Sequence, residues 1–307
     1  MPYSDNDLDA AARAGVITSQ QAEALRLFFA QRPAAPMRIA PRFDLVHLLW
    51  YAGALIVMSA MGLFSTLAFA AMGGVGLTAT ALVYAVLFGV AGHYLWHTKK
   101  LYTPGGLLIA IAVAMAPLAV YGVQEALGLW TEFGKPGTVR DFYIWIKGSF
   151  VFMELATIAA ALLALWLYRF PFIVFVLAVA LWFLSMDIVP WITGAPHGNW
   201  ETSRKVSVWF GLGVIMTAIV VHGRQQRGDF AYWLYLFGVM TFWGGITAVS
   251  DGTALDKALY CALNVGFLLV ALLLDRVVFA VFGAMGIAIY LGDLADKLFR
   301  DSILFPF

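Results

Sequence analysis

Glu125, Glu154, Asp187, Asn264 and Asp293 are polar side chains set within the apolar runs of this sequence. A charge at the centre of a membrane helix costs on the order of 2.5 to 3.5 kcal/mol on insertion scales, so such residues are the first place to look for chemistry. Glu154 and Asp187 are the deepest carboxylates, one turn into one apolar run and near the end of the next. Read functionally, the set forms an acidic, water-accessible vestibule that attracts a cation or a small amine, or carries a proton. Read structurally, Glu125, Asp251, Asp256, Asp293 and Asp296 are solvated helix ends, and Glu154 and Asp187 snorkel or pair with Lys147, Arg204 or Lys205. Both readings stand at this stage.

Four of the five histidines gather toward the opposite ends of the runs: His47, His93, His97 and His222. His93 and His97 share one helical face at spacing four, the arrangement by which a helix offers two imidazoles to one metal ion. His47 or His222 would complete a metal or haem site. The pair lacks the glutamate of a zinc-protease helix, and histidines at an interface need no metal to be satisfied.

Other catalytic signatures are absent. No glycine-rich phosphate loop with lysine, no nucleophile elbow and no paired intramembrane aspartates occur, so an enzyme is the least favoured class and no cofactor is expected. Cys261 is the single cysteine and reads as a small buried hydrophobe. Pro117 and Pro190 each interrupt an apolar run near a carboxylate, as in the broken helices of transporters, although no pair of matching repeat halves is evident around them.

The elements that position these residues follow from composition. The 307 residues are 62% hydrophobic and 12% charged, with a mean hydropathy of +0.85; water-soluble domains carry about 25% charged residues. The net charge of +1 supplies no attraction for nucleic acid. Nine apolar stretches, near 44–70, 75–97, 104–129, 150–169, 171–192, 206–223, 230–250, 256–274 and 277–298, each match the roughly 20 residues that cross a bilayer. The expected fold is all-α: a polytopic bundle of about nine transmembrane helices over residues 43–307, with the lipid bilayer as its surroundings.

Residues 1–42 read as a short helical hairpin and a Pro-rich linker. Ser4 with Asp7 opens one helix, Gly15 ends it, and Thr18 with Gln21 forms a capping box for the next. Leu25, Phe28 and Phe29 then give an apolar face suited to the membrane domain, lipid or a cytoplasmic protein partner. Pro33, Pro36 and Pro41 end the helix. The N-terminus lacks a secretory signal, so the first membrane helix is expected to direct insertion. Of the nineteen Lys and Arg residues, eleven fall on the side of the N-terminus and eight on the other; the excess predicts a cytoplasmic N-terminus. Trp50, Trp96, Trp130, Trp191, Trp209 and Trp233 lie toward helix ends, as interfacial anchors do.

Two stretches carry a family resemblance: Leu8 to Ala22, and Phe282 to Leu291 leading to the segment Phe299 to Phe307. Together they resemble bacterial predicted membrane proteins of the DUF2157 type, which couple a short cytoplasmic helical segment to many membrane helices. The resemblance implies a multi-pass protein of the bacterial inner membrane and assigns no activity or site residue. Similar chains continue into a further apolar helix where this one stops at Phe307, which leaves room for a tenth helix. Three functions are therefore in play: a secondary transporter or channel-like protein for a cation, proton or small amine; a non-transporting scaffold or sensor acting through its N-terminal hairpin; and a histidine-ligated metal or haem protein.

Overall fold

The computed structural model describes residues 5–31, 45–128, 150–193, 200–224, 229–247 and 254–299. Those residues form eleven α-helices and no strand, in two units that divide between Arg38 and Ile39.

The first unit is the hairpin of α1 (Asp5–Arg13) and α2 (Ser19–Gln31). Its turn is set by local chemistry. Gly15 takes a left-handed φ of 70° after α1. The capping box is reciprocal: the Gln21 N–H donates to Thr18 Oγ1 at 3.2 Å, and the Thr18 N–H donates to Gln21 Oε1 at 2.9 Å. Arg26 of α2 reaches across to Asp9 of α1 and also meets Glu23, while Ala22 is buried between the arms. Leu27 and Phe28 stay exposed and Leu25 is half-buried. Ser4, the side chain of Phe29 and the linker prolines lie outside the described residues.

The second unit holds α3 (Leu45–His97), α4 (Tyr102–Ala114), α5 (Ala116–Ala126), α6 (Val151–Tyr168), α7 (Phe172–Thr193), α8 (Trp200–Arg224), α9 (Phe230–Thr247), α10 (Ala254–Leu274) and α11 (Val277–Phe299). Helix is the required form for such sequences, because hydrocarbon offers backbone groups no partner outside the segment. Seven described helical stretches are long and apolar enough to cross a membrane, from Gly73–His97 through to Val277–Asp296. The first part of α3 adds a shorter apolar stretch, Leu48–Met61. Helix α9 adds 18 residues without a charge. The chain is thus an all-α, multi-pass membrane bundle, and the nine expected runs correspond to its helices.

The breaks between helices have local causes. Within α3, Gly73 adopts φ 63° and ψ 177°, a conformation open to glycine, and so divides the first two runs. Helix α4 ends at Met115 because Pro117, in the first turn of α5, has no N–H to donate to the preceding turn. Arg169 is left-handed at φ 46° between α6 and α7, and Asp275 at φ 52° between α10 and α11. At the start of α9, Asp229 caps the Tyr232 N–H at 3.0 Å and pairs with Arg276.

Helix α9 is the centre of the packing. One side places Trp233 against Tyr51 at 5.0 Å and Phe172 at 4.7 Å between ring centroids. The other side places Tyr235 and Val239, both fully buried, in a second core with Phe279. A helix that is apolar all round belongs inside a bundle. Trp233 is therefore a core ring and not the headgroup anchor its place near a helix end suggests, whereas Trp209 is exposed. Trp130 and the side chain of Trp191 lie outside the described residues.

Close crossings are set by glycine. A Cβ on Gly211 of α8 would meet the backbone of Phe242 and Gly238 of α9, and Gly92 of α3 meets Gly105 of α4 in the same way. Gly89, four residues after Ala85, has open space around it. Gly211→Leu is expected to lower the unfolding midpoint in detergent by the equivalent of about 1–3 kcal/mol, the usual range for overpacking, while Gly213→Leu leaves it unchanged. Equal effects at the two positions would remove the crossing as the cause.

Candidate functional site

The helical spacing of α6 and α7 brings one face of each to a shared cavity. Met153, Glu154 and Thr157 follow one another on α6; Phe172, Val176, Val179, Phe183 and Asp187 follow at steps of three and four on α7. Because the helices are antiparallel neighbours, Glu154 near the start of α6 and Asp187 near the end of α7 lie at the same end of the hairpin. Leu55 and Met58 of α3, Ala114 of α4 and Pro117 of α5 close the opposite wall. The helix break at Met115 thus falls in the wall of the cavity that both carboxylates line.

The cavity has a volume of about 360 Å³ and walls that are almost wholly apolar, with four phenylalanines, Phe150, Phe172, Phe175 and Phe183, among its lining. Glu154 is 8% exposed and Asp187 2%. Each has one fully buried carboxyl oxygen, Oε2 and Oδ2, without a hydrogen-bond partner among the described residues. The two groups lie within range of each other's charge. Thr157, the other polar side chain in the wall, donates its hydroxyl to the Met153 carbonyl at 2.7 Å.

The cations considered as partners are engaged elsewhere or lie outside the described residues. Lys205 pairs with Glu201 at 2.6 Å, one turn away on α8. Arg204 lines a separate cavity. Lys147 is outside the described residues, as is Asp251. Among the described residues, no ion pair reaches Glu154 or Asp187.

The remaining candidates are placed differently. Asn264 of α10 is wholly enclosed: its Oδ1 accepts from Trp243 Nε1 at 3.0 Å and its Nδ2 donates to the Tyr260 carbonyl at 2.8 Å. Gly286 of α11 lies against that amide, which fills the space a Cβ would need. Asn264 therefore joins α9, α10 and α11. Asp293 accepts from Lys257 Nζ at 2.7 Å on both oxygens. Glu125 packs its Cβ against Gly74, where α5 meets α3. Asp256 shares a cavity of about 690 Å³ with Arg204, Lys257 and Asp293.

The histidines form two groups. His93 and His97 lie with ring centroids 4.5 Å apart, and His93 Nδ1 is 3.1 Å from Tyr168 Oη. His222 instead meets Tyr235 Oη at 3.4 Å. Among the described residues, no three His, Cys, Asp or Glu side chains gather in a way that holds a metal ion. The side chains of His47 and Pro190 lie outside them.

Sequence reading missed the aromatic walls. Their signal is the run Phe172, Phe175, Val176, Val179, Phe183, which ends on Asp187 with helical spacing. It is hard to see because every neighbouring residue is apolar too.

Fold and composition define a multi-pass integral membrane protein. No family model matches the chain, and no curated protein or solved structure is similar to it.

The two kinds of carboxylate differ in a measurable way. In ligand-free protein, Asp293→Asn is expected to lower the unfolding midpoint by the equivalent of about 1 kcal/mol, because it takes the partner from Lys257. Asp187→Asn, which removes an unmatched group, leaves the midpoint unchanged or raises it. Equal losses in a thermal scan would show that Asp187 has a partner in the folded protein.

Proposed function

We propose that this chain binds a cation in the α6–α7 cavity and carries it across the membrane, with Glu154 and Asp187 holding its charge. The observation that carries the reading is the pair of buried carboxyls in the wall of one cavity, each with an oxygen that has no partner among the described residues. A charged group in such surroundings is tolerated when it is paired or neutralised. With no cation in place among the described residues, the site is suited to take one up, either a proton or a positively charged solute. The helix break before Pro117 supports the same reading, since interrupted helices line binding cavities at membrane depth.

The excess of Lys and Arg on the N-terminal side supports a cytoplasmic N-terminus, and the resemblance in the terminal segments supports the bacterial inner membrane. In that orientation Glu154 and Asp187 lie in the outer half of the bilayer, and the cavity loads from outside. The N-terminal hairpin folds as its own unit with an exposed Leu27 and Phe28, and we assign it contacts with a cytoplasmic partner and no part in the transport step.

Cation and proton flux into liposomes tests both assignments. Glu154→Gln and Asp187→Asn are expected to reduce flux at least tenfold, while deletion of residues 1–40 keeps it within twofold of wild type. Wild-type flux in both carboxyl variants would remove the cavity from the mechanism. Loss of flux on deletion, in protein that still inserts and folds, would make the hairpin part of it.

A further inference from the structure

The α10–α11 hairpin matches the α6–α7 hairpin in its turn and in the spacing of an aspartate from that turn. Each turns on a single left-handed residue, Arg169 in one and Asp275 in the other. Glu154 lies fifteen residues before Arg169, and Tyr260 fifteen before Asp275; Asp187 lies eighteen residues after Arg169, and Asp293 eighteen after Asp275. Both hairpins carry a cavity at the end where these residues meet, and in both the preceding helical segment, α4–α5 or α9, supplies part of the wall.

The repeats differ in what faces the shared aspartate. In the second, the ammonium of Lys257, one turn before Tyr260, donates to both Asp293 oxygens at 2.7 Å. The hydroxyl of Tyr260 is 2.9 Å from Thr247 Oγ1. In the first repeat the position that corresponds to Lys257 is Val151, and the position that corresponds to Tyr260 is Glu154. The first repeat thus has a carboxyl where the second has Tyr260 and, among the described residues, no ammonium over its aspartate, and it holds an apolar cavity of about 360 Å³ in front of the carboxyls.

From this we infer that the α6–α7 cavity takes a primary organic ammonium ion with an apolar, aromatic or alkyl body, of which Lys257 is the built-in counterpart in the second hairpin. The inference rests on the cation-binding reading above and names its ligand. The ammonium takes the place over Asp187 and Glu154 that Lys257 takes over Asp293. The body fills the phenylalanine-lined space, and ring faces there add attraction for the cation. The volume lies in the range of small-molecule sites. A bare inorganic ion fits poorly: calcium takes six to eight oxygen ligands and magnesium keeps its waters, whereas this wall offers two carboxyls and a threonine hydroxyl already bonded to Met153.

Calorimetric titration of the full chain in nanodiscs tests the assignment with phenethylammonium and hexylammonium as probes, against 2-phenylethanol, sodium and magnesium. Both amines are expected to bind, and 2-phenylethanol at least tenfold more weakly than phenethylammonium. Glu154→Gln and Asp187→Asn each weaken amine binding at least tenfold. Val151→Lys, which puts a tethered ammonium where the second repeat has one, abolishes it while the unfolding midpoint holds or rises. Lys257→Ala, at the other hairpin, leaves the first site's affinity unchanged. Equal binding of 2-phenylethanol and phenethylammonium, or full amine affinity in Val151→Lys, overturns the ammonium assignment. Carboxyl-dependent binding or flux of sodium or protons without amine binding overturns it too, and leaves the cation reading intact. If no cation binds and both carboxyl variants match wild type in flux, both fall.

Discussion

Two carboxyl groups in an apolar wall, with no cation beside them among the described residues, are the constraint around which the α6–α7 region is organised. Burying a lone carboxylate is among the most expensive things a fold can do, and the usual remedies are a paired base, a bound ion or a proton. The second hairpin uses the first remedy, with Lys257 over Asp293. The first hairpin keeps the acid, no described residue supplies it a base, and a cavity lies in front of it. That contrast within one chain separates an acid paired across two helices from acids that face a cavity.

The rest of the bundle makes this arrangement possible by being rigid elsewhere. Helix α9 is buried on both sides and contributes to two cores, through Trp233 on one face and Tyr235 on the other. Glycine crossings bring α8 to α9 and α3 to α4 at backbone contact, and Asn264 locks α10 to Trp243 and Gly286. Packing of this kind is what drives helix association in lipid, where hydrophobicity gives no preference for a neighbouring helix over an acyl chain. The helix break at Met115 occurs at the cavity wall, where irregular backbone faces a space and not hydrocarbon.

Much of the fold is legible in the sequence because lipid leaves few choices. Runs of about 20 apolar residues must be helices, and the nine runs correspond to helical segments with Gly73 and Pro117 at the interruptions. Glu154 and Asp187 stand out for the same reason, since a charge in such a run is expensive and therefore rare. What periodicity hides is which apolar residues line a space: Phe172, Phe175 and Phe183 look like any others until α6 is laid against α7. The repeat was hidden as well. Its two hairpins share a turn geometry and an aspartate, but apolar positions interchange freely, and the acid of one stands where the other has Tyr260. Trp233 shows the opposite failure: near a helix end, it follows the rule for interfacial anchors, yet α9 is enclosed and the ring is core.

The most direct measurement is a map of the protein soaked with 4-bromophenethylammonium, in which the bromine marks the body of the ligand. A cation held by Glu154 and Asp187 predicts density in the α6–α7 cavity, with the nitrogen about 3 Å from a carboxyl oxygen of each residue and the bromine among Phe172, Phe175 and Phe183. A clearly resolved, empty cavity at saturating ligand, or bromine density only at the lipid-facing surface, would contradict it.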